Sequence, residues 1–210
     1  MSRRRSTLPA ADGFPPRGPT GQSLLPPPEK RAGPAASGLP ALAPTAGPPV
    51  AEARQRTARR LLPAADKSSK RLLVMMHGLG GSLAGYLWMP EVLRLPWLNY
   101  VLPNAPDDYY GGFAWFDIYG DIAPGVHRSR ALVFELLDHL RAQGWPTEQT
   151  VIGGFSQGGL MALEVGLRYP HRFAGVMSIS GLVCEPDKLI QELSPVAKTQ
   201  RVLATVSYTH

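Results

Sequence analysis

The sequence predicts an α/β fold: a mostly parallel sheet covered by helices on both faces, preceded by a disordered extension. Three observations carry this. Short apolar runs without polar alternation read as strands buried on both sides. These runs alternate along the chain with helical patterns, the order that builds a doubly covered parallel sheet. The front of the 210-residue chain has neither pattern.

That front, residues 1–66, holds 13 of the 22 prolines, clustered in Pro15-Pro16, Pro26-Pro27-Pro28 and Pro48-Pro49 among Gly, Ala and Ser. Such a segment has too little periodic apolar surface to offset the entropy of ordering it. Within it, Glu52–Leu62 reads as a short basic helix. A start site placed too far upstream would also give a segment of this kind. The domain is expected over residues 67–210, with its first strand beginning near Lys70.

The net charge of +6 hides two opposite halves. Residues 1–71 carry 13 Lys/Arg against 4 Asp/Glu, a net of +9, whereas residues 72–210 carry 9 against 12, a net of −3. The basic part has a single aromatic residue, Phe14, so it reads as a solvated tail and no nucleic-acid partner is expected. No stretch approaches the roughly 20 apolar residues of a membrane span. Met1-Ser2-Arg3-Arg4-Arg5 is not followed by the apolar core of a secretory signal. The one cysteine, Cys184, has no internal partner, which fits a reducing compartment, and a cytoplasmic protein is expected.

The elements follow in order. Arg71-Leu72-Leu73-Val74-Met75-Met76 is the first buried strand and ends at the flexible turn His77-Gly78-Leu79-Gly80-Gly81. A short helix follows over residues 85–93, interrupted near Pro90. Tyr100-Val101-Leu102 is the second strand, closed by Pro103-Asn104-Ala105-Pro106. Residues 107–124, aromatic and Gly-rich, read as a long loop. Val133, Leu136, Leu137 and Leu140 recur at helical spacing within a helix over 127–143, stopped by Gly144 and Pro146. Thr150–Phe155 is a strand, 159–168 a helix, 173–179 a strand, 188–193 a helix and 201–206 a final strand.

One pentapeptide carries chemistry. Gly154-Phe155-Ser156-Gln157-Gly158 sits between a buried strand and a helix, the context in which a G-x-S-x-G sequence forms a nucleophile elbow. A sharp turn there lifts the Ser156 hydroxyl above the sheet. Gly154 and Gly158, lacking Cβ, let strand and helix approach around it. The helix N-terminus favours a developing anion, so the Gln157 amide becomes one oxyanion donor. The Leu79 amide, in the Gly-rich turn after the first strand, is the expected second donor. His77 could act as a base by its chemistry, but at the strand end beside this turn it reads as structural.

The body resembles the phospholipase/carboxylesterase family, which includes the acyl-protein thioesterases. The matching pieces stand in order: His77-Gly78-Leu79-Gly80, Leu102-Pro103-Asn104-Ala105-Pro106, Trp115-Phe116-Asp117, Gly154-Phe155-Ser156-Gln157-Gly158-Gly159 and Ile179-Ser180-Gly181. The resemblance implies an α/β-hydrolase fold and a serine hydrolase that cleaves small-molecule carboxylic esters or thioesters without cofactor or metal. It implies Ser156 as nucleophile, Leu79 and Gln157 as oxyanion amides, and Trp115 near the acyl-binding region; Trp115 and Gly78 are the candidate residues of the substrate pocket. Acyl length, leaving group and oligomeric state are not legible.

The family's triad continues with an Asp after the strand at 201–206 and then a His. Here the chain reads Ser207-Tyr208-Thr209-His210, which departs from that pattern and looks foreign to it. The resemblance therefore implies that the orienting Asp, the base and the last strand and helix lie outside these 210 residues. Hydrolysis by this chain is then expected to be weak or absent, because serine without a base is a poor nucleophile. The remaining histidines, His127, His139, His171 and His210, lack the setting of a base, and Asp107-Asp108 reads as a solvated loop rather than a metal site. The alternative is a non-catalytic binding protein that retains the fold, although binding alone does not require a strained serine.

Overall fold

The computed structural model describes residues 58–206. Expectations for residues 1–57 and for 207–210, His210 included, fall outside this range. Among the described residues six strands form the main sheet: β1 (Arg59–Leu62), β2 (Leu72–Met76), β3 (Asn99–Pro103), β6 (Thr150–Phe155), β7 (Gly175–Ile179) and β8 (Val202–Thr205), in the order β1-β3-β2-β6-β7-β8. All neighbours are parallel except β1, which runs antiparallel to β3. A separate hairpin pairs β4 (Asp107–Tyr109) with β5 (Gly112–Ala114).

The apolar strands are buried on both faces, as their composition requires. Leu72, Val74 and Met76 of β2 face one layer, where they meet Val133, Leu136, Leu137 and Leu140 of helix α2 (Ala123–Ala142) and Leu160, Met161 and Val165 of helix α3 (Gln157–Gly166). Leu73 and Met75 face the other, with Tyr100, Leu102, Leu98 and Met89, the first residue of helix α1 (Met89–Leu93). Helix α4 (Pro186–Gln191) follows β7 and buries Leu189.

Two expectations are corrected. Residues 59–62 form a strand, not the end of a basic helix. Pairing explains it: Arg59–Leu62 lies antiparallel to Tyr100–Pro103, so sheet hydrogen bonds override local helical preference. Residues 107–124 are not a single loop. Asp107–Ala114 turns back on itself through Tyr110 and Gly111, both at positive φ (43° and 86°), the geometry of a two-residue hairpin turn.

The chain leaves β2 toward β3 on one side, and later builds β6, β7 and β8 on the other. The direction of winding reverses between β2 and β6. Open α/β sheets form their clefts at such a reversal, beyond the carboxyl ends of the strands. The loop after β2 and the turn after β6 are the two segments of interest from the sequence.

Candidate active site

Ser156 occupies the turn between β6 and α3 with φ 54° and ψ −116°. A non-glycine residue in this region stores on the order of 1–3 kcal/mol and persists only when its surroundings over-determine it. The surroundings do so here. The Ser156 N–H donates to the Ile179 carbonyl at 2.8 Å, and its own carbonyl accepts from Leu160 N–H at 3.0 Å. A Cβ on Gly154 would lie 2.0 Å from the Gly158 oxygen, and one on Gly158 would lie 2.2 Å from the Met76 oxygen. Both glycines are therefore required, and through Gly158 the helix rests on the end of β2.

The loop after β2 closes against the same turn. A Cβ on Gly78 would sit 3.3 Å from Ser156 Cβ and from the Phe155 oxygen. Gly81 N–H donates to the Gly78 carbonyl at 3.0 Å, Gly80 N–H donates to the carbonyl of Phe113 on hairpin strand β5, and Phe113 N–H donates back to the Gly81 carbonyl, both at 2.9 Å. Gly78 is buried, whereas Leu79 and Ser156 are partly exposed. Among the described residues, neither the Leu79 nor the Gln157 N–H donates to a protein acceptor, and Ser156 Oγ has no hydrogen-bond partner. The structure thus brings Ser156, Gly78, Leu79, Gln157, Gly154 and Gly158 together at the reversal point.

His77 is a structural residue. It is 1% exposed, its Nδ1 lies 2.7 Å from the Gly78 carbonyl, and its Nε2 lies 3.0 Å from the Ala105 N–H. Nε2 must accept, so Nδ1 carries the proton and the ring is neutral. Burial depresses its pKa, partly opposed by the Gly78 carbonyl. With both nitrogens committed, it has no lone pair to offer Ser156.

Trp115 is 1% exposed and borders a cavity together with Pro106, Leu132 and Leu136. Each of its polar groups is spent on the frame: the indole N–H donates to the His77 carbonyl at 2.8 Å, the backbone N–H to Gln157 Oε1 at 2.9 Å, and the carbonyl accepts from Ser129 Oγ. The Gln157 side chain, which sequence reasoning missed, completes this frame by donating from Nε2 to the Phe116 carbonyl at 2.9 Å. A signal was present. Every residue of α3 is buried, and a polar side chain in so apolar a helix must find partners.

The other ionisable groups lie elsewhere. His127 contacts Glu185 at 2.7 Å and Lys188 at 3.5 Å. Asp107 is not a solvated loop residue: it sits on β4 in an ion pair with Arg128, and burial raises its pKa against the pull of that guanidinium. Cys184 is partly buried, and burial together with neighbouring carboxylates raises its pKa, the opposite of an activated thiol. Glu164 is tied to Arg168 at 2.6 Å and to Arg130 at 3.2 Å. Among the described residues no group of three or more His, Cys, Asp or Glu could hold a metal ion, and no helix is long and apolar enough to cross a membrane.

A mostly parallel sheet with helices on both faces and a strained serine at a strand-to-helix turn defines an α/β-hydrolase fold. The sequence profile of the phospholipase/carboxylesterase family matches residues 61–206, and the chain belongs to that family. It is 36% identical over 146 residues to acyl-protein thioesterase 1 of Schizosaccharomyces pombe, covering 63% of this chain and 65% of that protein. Among solved structures it is similar to esterase PE8 (30% identity, TM-score 0.61, covering 72% of this chain and 73% of that one). It is also similar to acyl-protein thioesterase 2 of Zea mays (26% identity, TM-score 0.53, covering 68% and 70%). The chain spans less than two thirds of the length of the first curated relatives it matches.

Proposed function

We propose that this chain is a serine hydrolase of carboxylic esters or thioesters, acting through an acyl-Ser156 intermediate. The observation that carries the reading is the strained Ser156 turn, with the undonated Leu79 and Gln157 amides in the loop and helix that flank it. Ser156 Oγ would attack the acyl carbonyl, forming a tetrahedral intermediate whose oxyanion the two amides hold. Collapse expels the alcohol or thiol, which leaves with the serine proton, and gives the acyl-serine; water then cleaves it, releasing the carboxylic acid and restoring the Ser156 hydroxyl. Each amide of this kind is worth about 3 kcal/mol of barrier. The acyl-protein thioesterase and esterase relatives support the substrate class. A cytoplasmic location is part of the same proposal, supported by the single cysteine.

Turnover by these 210 residues is expected to be slow. Among the described residues no imidazole bonds Ser156, and an unassisted hydroxyl is a weak nucleophile. Fluorophosphonate labelling followed by peptide mapping tests the class. One adduct on Ser156, formed ahead of every other serine and lost in Ser156→Ala, is the expected result. Labelling spread evenly over surface serines would overturn it in favour of a binding protein with the same fold. The slow rate is checked separately with p-nitrophenyl butyrate, where turnover typical of an esterase, abolished by Ser156→Ala, would contradict it.

A further inference from the structure

The two amides assigned to the anion come from segments that share no strand. Leu79 follows β2 and Gln157 follows β6, 78 positions later in the chain. Two independent loops would leave their separation loosely defined. An oxyanion site demands the reverse, since a misplacement of about 1 Å can cost on the order of 10²-fold in rate.

We propose that the Gln157 side chain and Trp115 form a clasp that sets the position of one amide relative to the other. The inference rests on the hydrolase reading of the preceding subsection and adds two positioning residues to it. The path is continuous. Gln157 Oε1 accepts from Trp115 N–H and Gln157 Nε2 donates to the Phe116 carbonyl, both at 2.9 Å, so one side-chain amide pairs with the 115–116 backbone as a neighbouring strand would. The Trp115 indole N–H then reaches the His77 carbonyl at 2.8 Å, and His77 Nδ1–H holds the Gly78 carbonyl at 2.7 Å, one residue before Leu79. On the far side, Ser129 Oγ donates to the Trp115 carbonyl, anchoring the clasp to α2.

Every member is shielded from water: Gln157 is 6% exposed, and Trp115 and His77 are 1% exposed each. Buried hydrogen bonds of this kind have no solvent partner to exchange with, so the clasp is stiff and its loss leaves unpaired groups. The residue that lends its backbone amide to the anion thus uses its own side chain to hold the opposite loop. A hydrophobic side chain of equal length would fill the same space without fixing that distance.

The test uses the full chain with Gln157→Met, which keeps length and volume, and Trp115→Phe, which removes the indole donor and keeps a ring. Circular dichroism and melting temperature first identify conditions where each variant is fully folded. There, the Ser156 fluorophosphonate labelling rate is expected to fall about 10²-fold in either variant. Gln157→Glu should recover part of that rate relative to wild type as pH falls, because the uncharged acid regains a donor to the Phe116 carbonyl. A clasp that only stabilised the fold would lower the melting temperature and leave the rate of folded molecules unchanged, which overturns the proposal.

A second readout does not depend on reactivity. Backbone ¹⁵N order parameters at Leu79 and Gln157 should be near the rigid value of about 0.85 in wild type, with Leu79 falling toward 0.6 in Gln157→Met. Leu79 remaining rigid in both variants would refute the clasp. If wild-type Ser156 fails to label, the hydrolase reading falls, and the order parameters still decide whether the two segments are mechanically joined.

Discussion

Strands β6 and β8 lie two places apart in one sheet and have opposite surroundings. β6 is flanked by β2 and β7, and its Ile152, Gly153 and Gly154 are buried. Among the described residues β8 pairs with β7 alone, and all four of its residues are exposed there, Val202 at 46% and Leu203 at 59%. The strained serine stands at the end of the enclosed strand. The contrast shows where strain can be stored: a non-glycine residue keeps φ 54° only where backbone and side chains press on it from several directions.

If the contrast is right, the smallest possible insertion at the centre should do the greatest damage. Gly158→Ala adds one methyl group 2.2 Å from the Met76 oxygen and 2.7 Å from the His77 oxygen. Neither acceptor is the end of a flexible side chain, so strand and helix must separate. We expect destabilisation of at least about 3 kcal/mol by urea unfolding, at the upper end of overpacking effects, together with loss of Ser156 labelling. A folded Gly158→Ala protein within about 1 kcal/mol of wild type would show that the elbow is looser than its geometry indicates.

The centre should also impose a pH dependence that the edge lacks. His77 is neutral and buried, and its folded-state pKa lies below the ordinary value of about 6.5. Below that ordinary value the unfolded chain takes up a proton that the folded chain resists. Stability is therefore fully present above about pH 6.5 and declines as pH falls through the window down to the folded pKa, by up to about 1.4 kcal/mol per pH unit. Unfolding midpoints at pH 7.5 and 5.5 measure this. In His77→Asn, which keeps a donor near the Nδ1 position and cannot titrate, the corresponding part of the slope should vanish. An unchanged slope would assign the acid sensitivity to other groups.

Legibility followed the same division. β2 and β6 were readable because burial on both faces leaves an uninterrupted apolar run, and α2 because Val133, Leu136, Leu137 and Leu140 mark one stripe. Ser156 and its two glycines were readable because close backbone approach admits few residue types. What escaped depended on partners distant in sequence. Arg59–Leu62 is a strand only because β3 offers an edge. The β4–β5 hairpin turns through Tyr110, a residue not favoured at positive φ. The hydrogen bonds of Trp115 escaped for the same reason, since their partners His77 and Gln157 stand far from it along the chain.

The edge supplies the mildest prediction, and its sign is opposite. Met177 and Leu203 are register partners on β7 and β8, and with Val151 and Val202 they border an apolar groove on the sheet face. A strand whose outer edge has no partner among the described residues, with exposed apolar side chains, is a template for pairing with another chain, and a lysine in such a strand blunts it. Leu203→Lys removes little buried contact, so the unfolding free energy should change by no more than about 0.5 kcal/mol. Self-association should drop, measured as the mass-average size by light scattering over a range of concentrations. A loss of several kcal/mol would mean that Leu203 is packed in solution, and the contrast between the enclosed strand and the open one would fail at its open end.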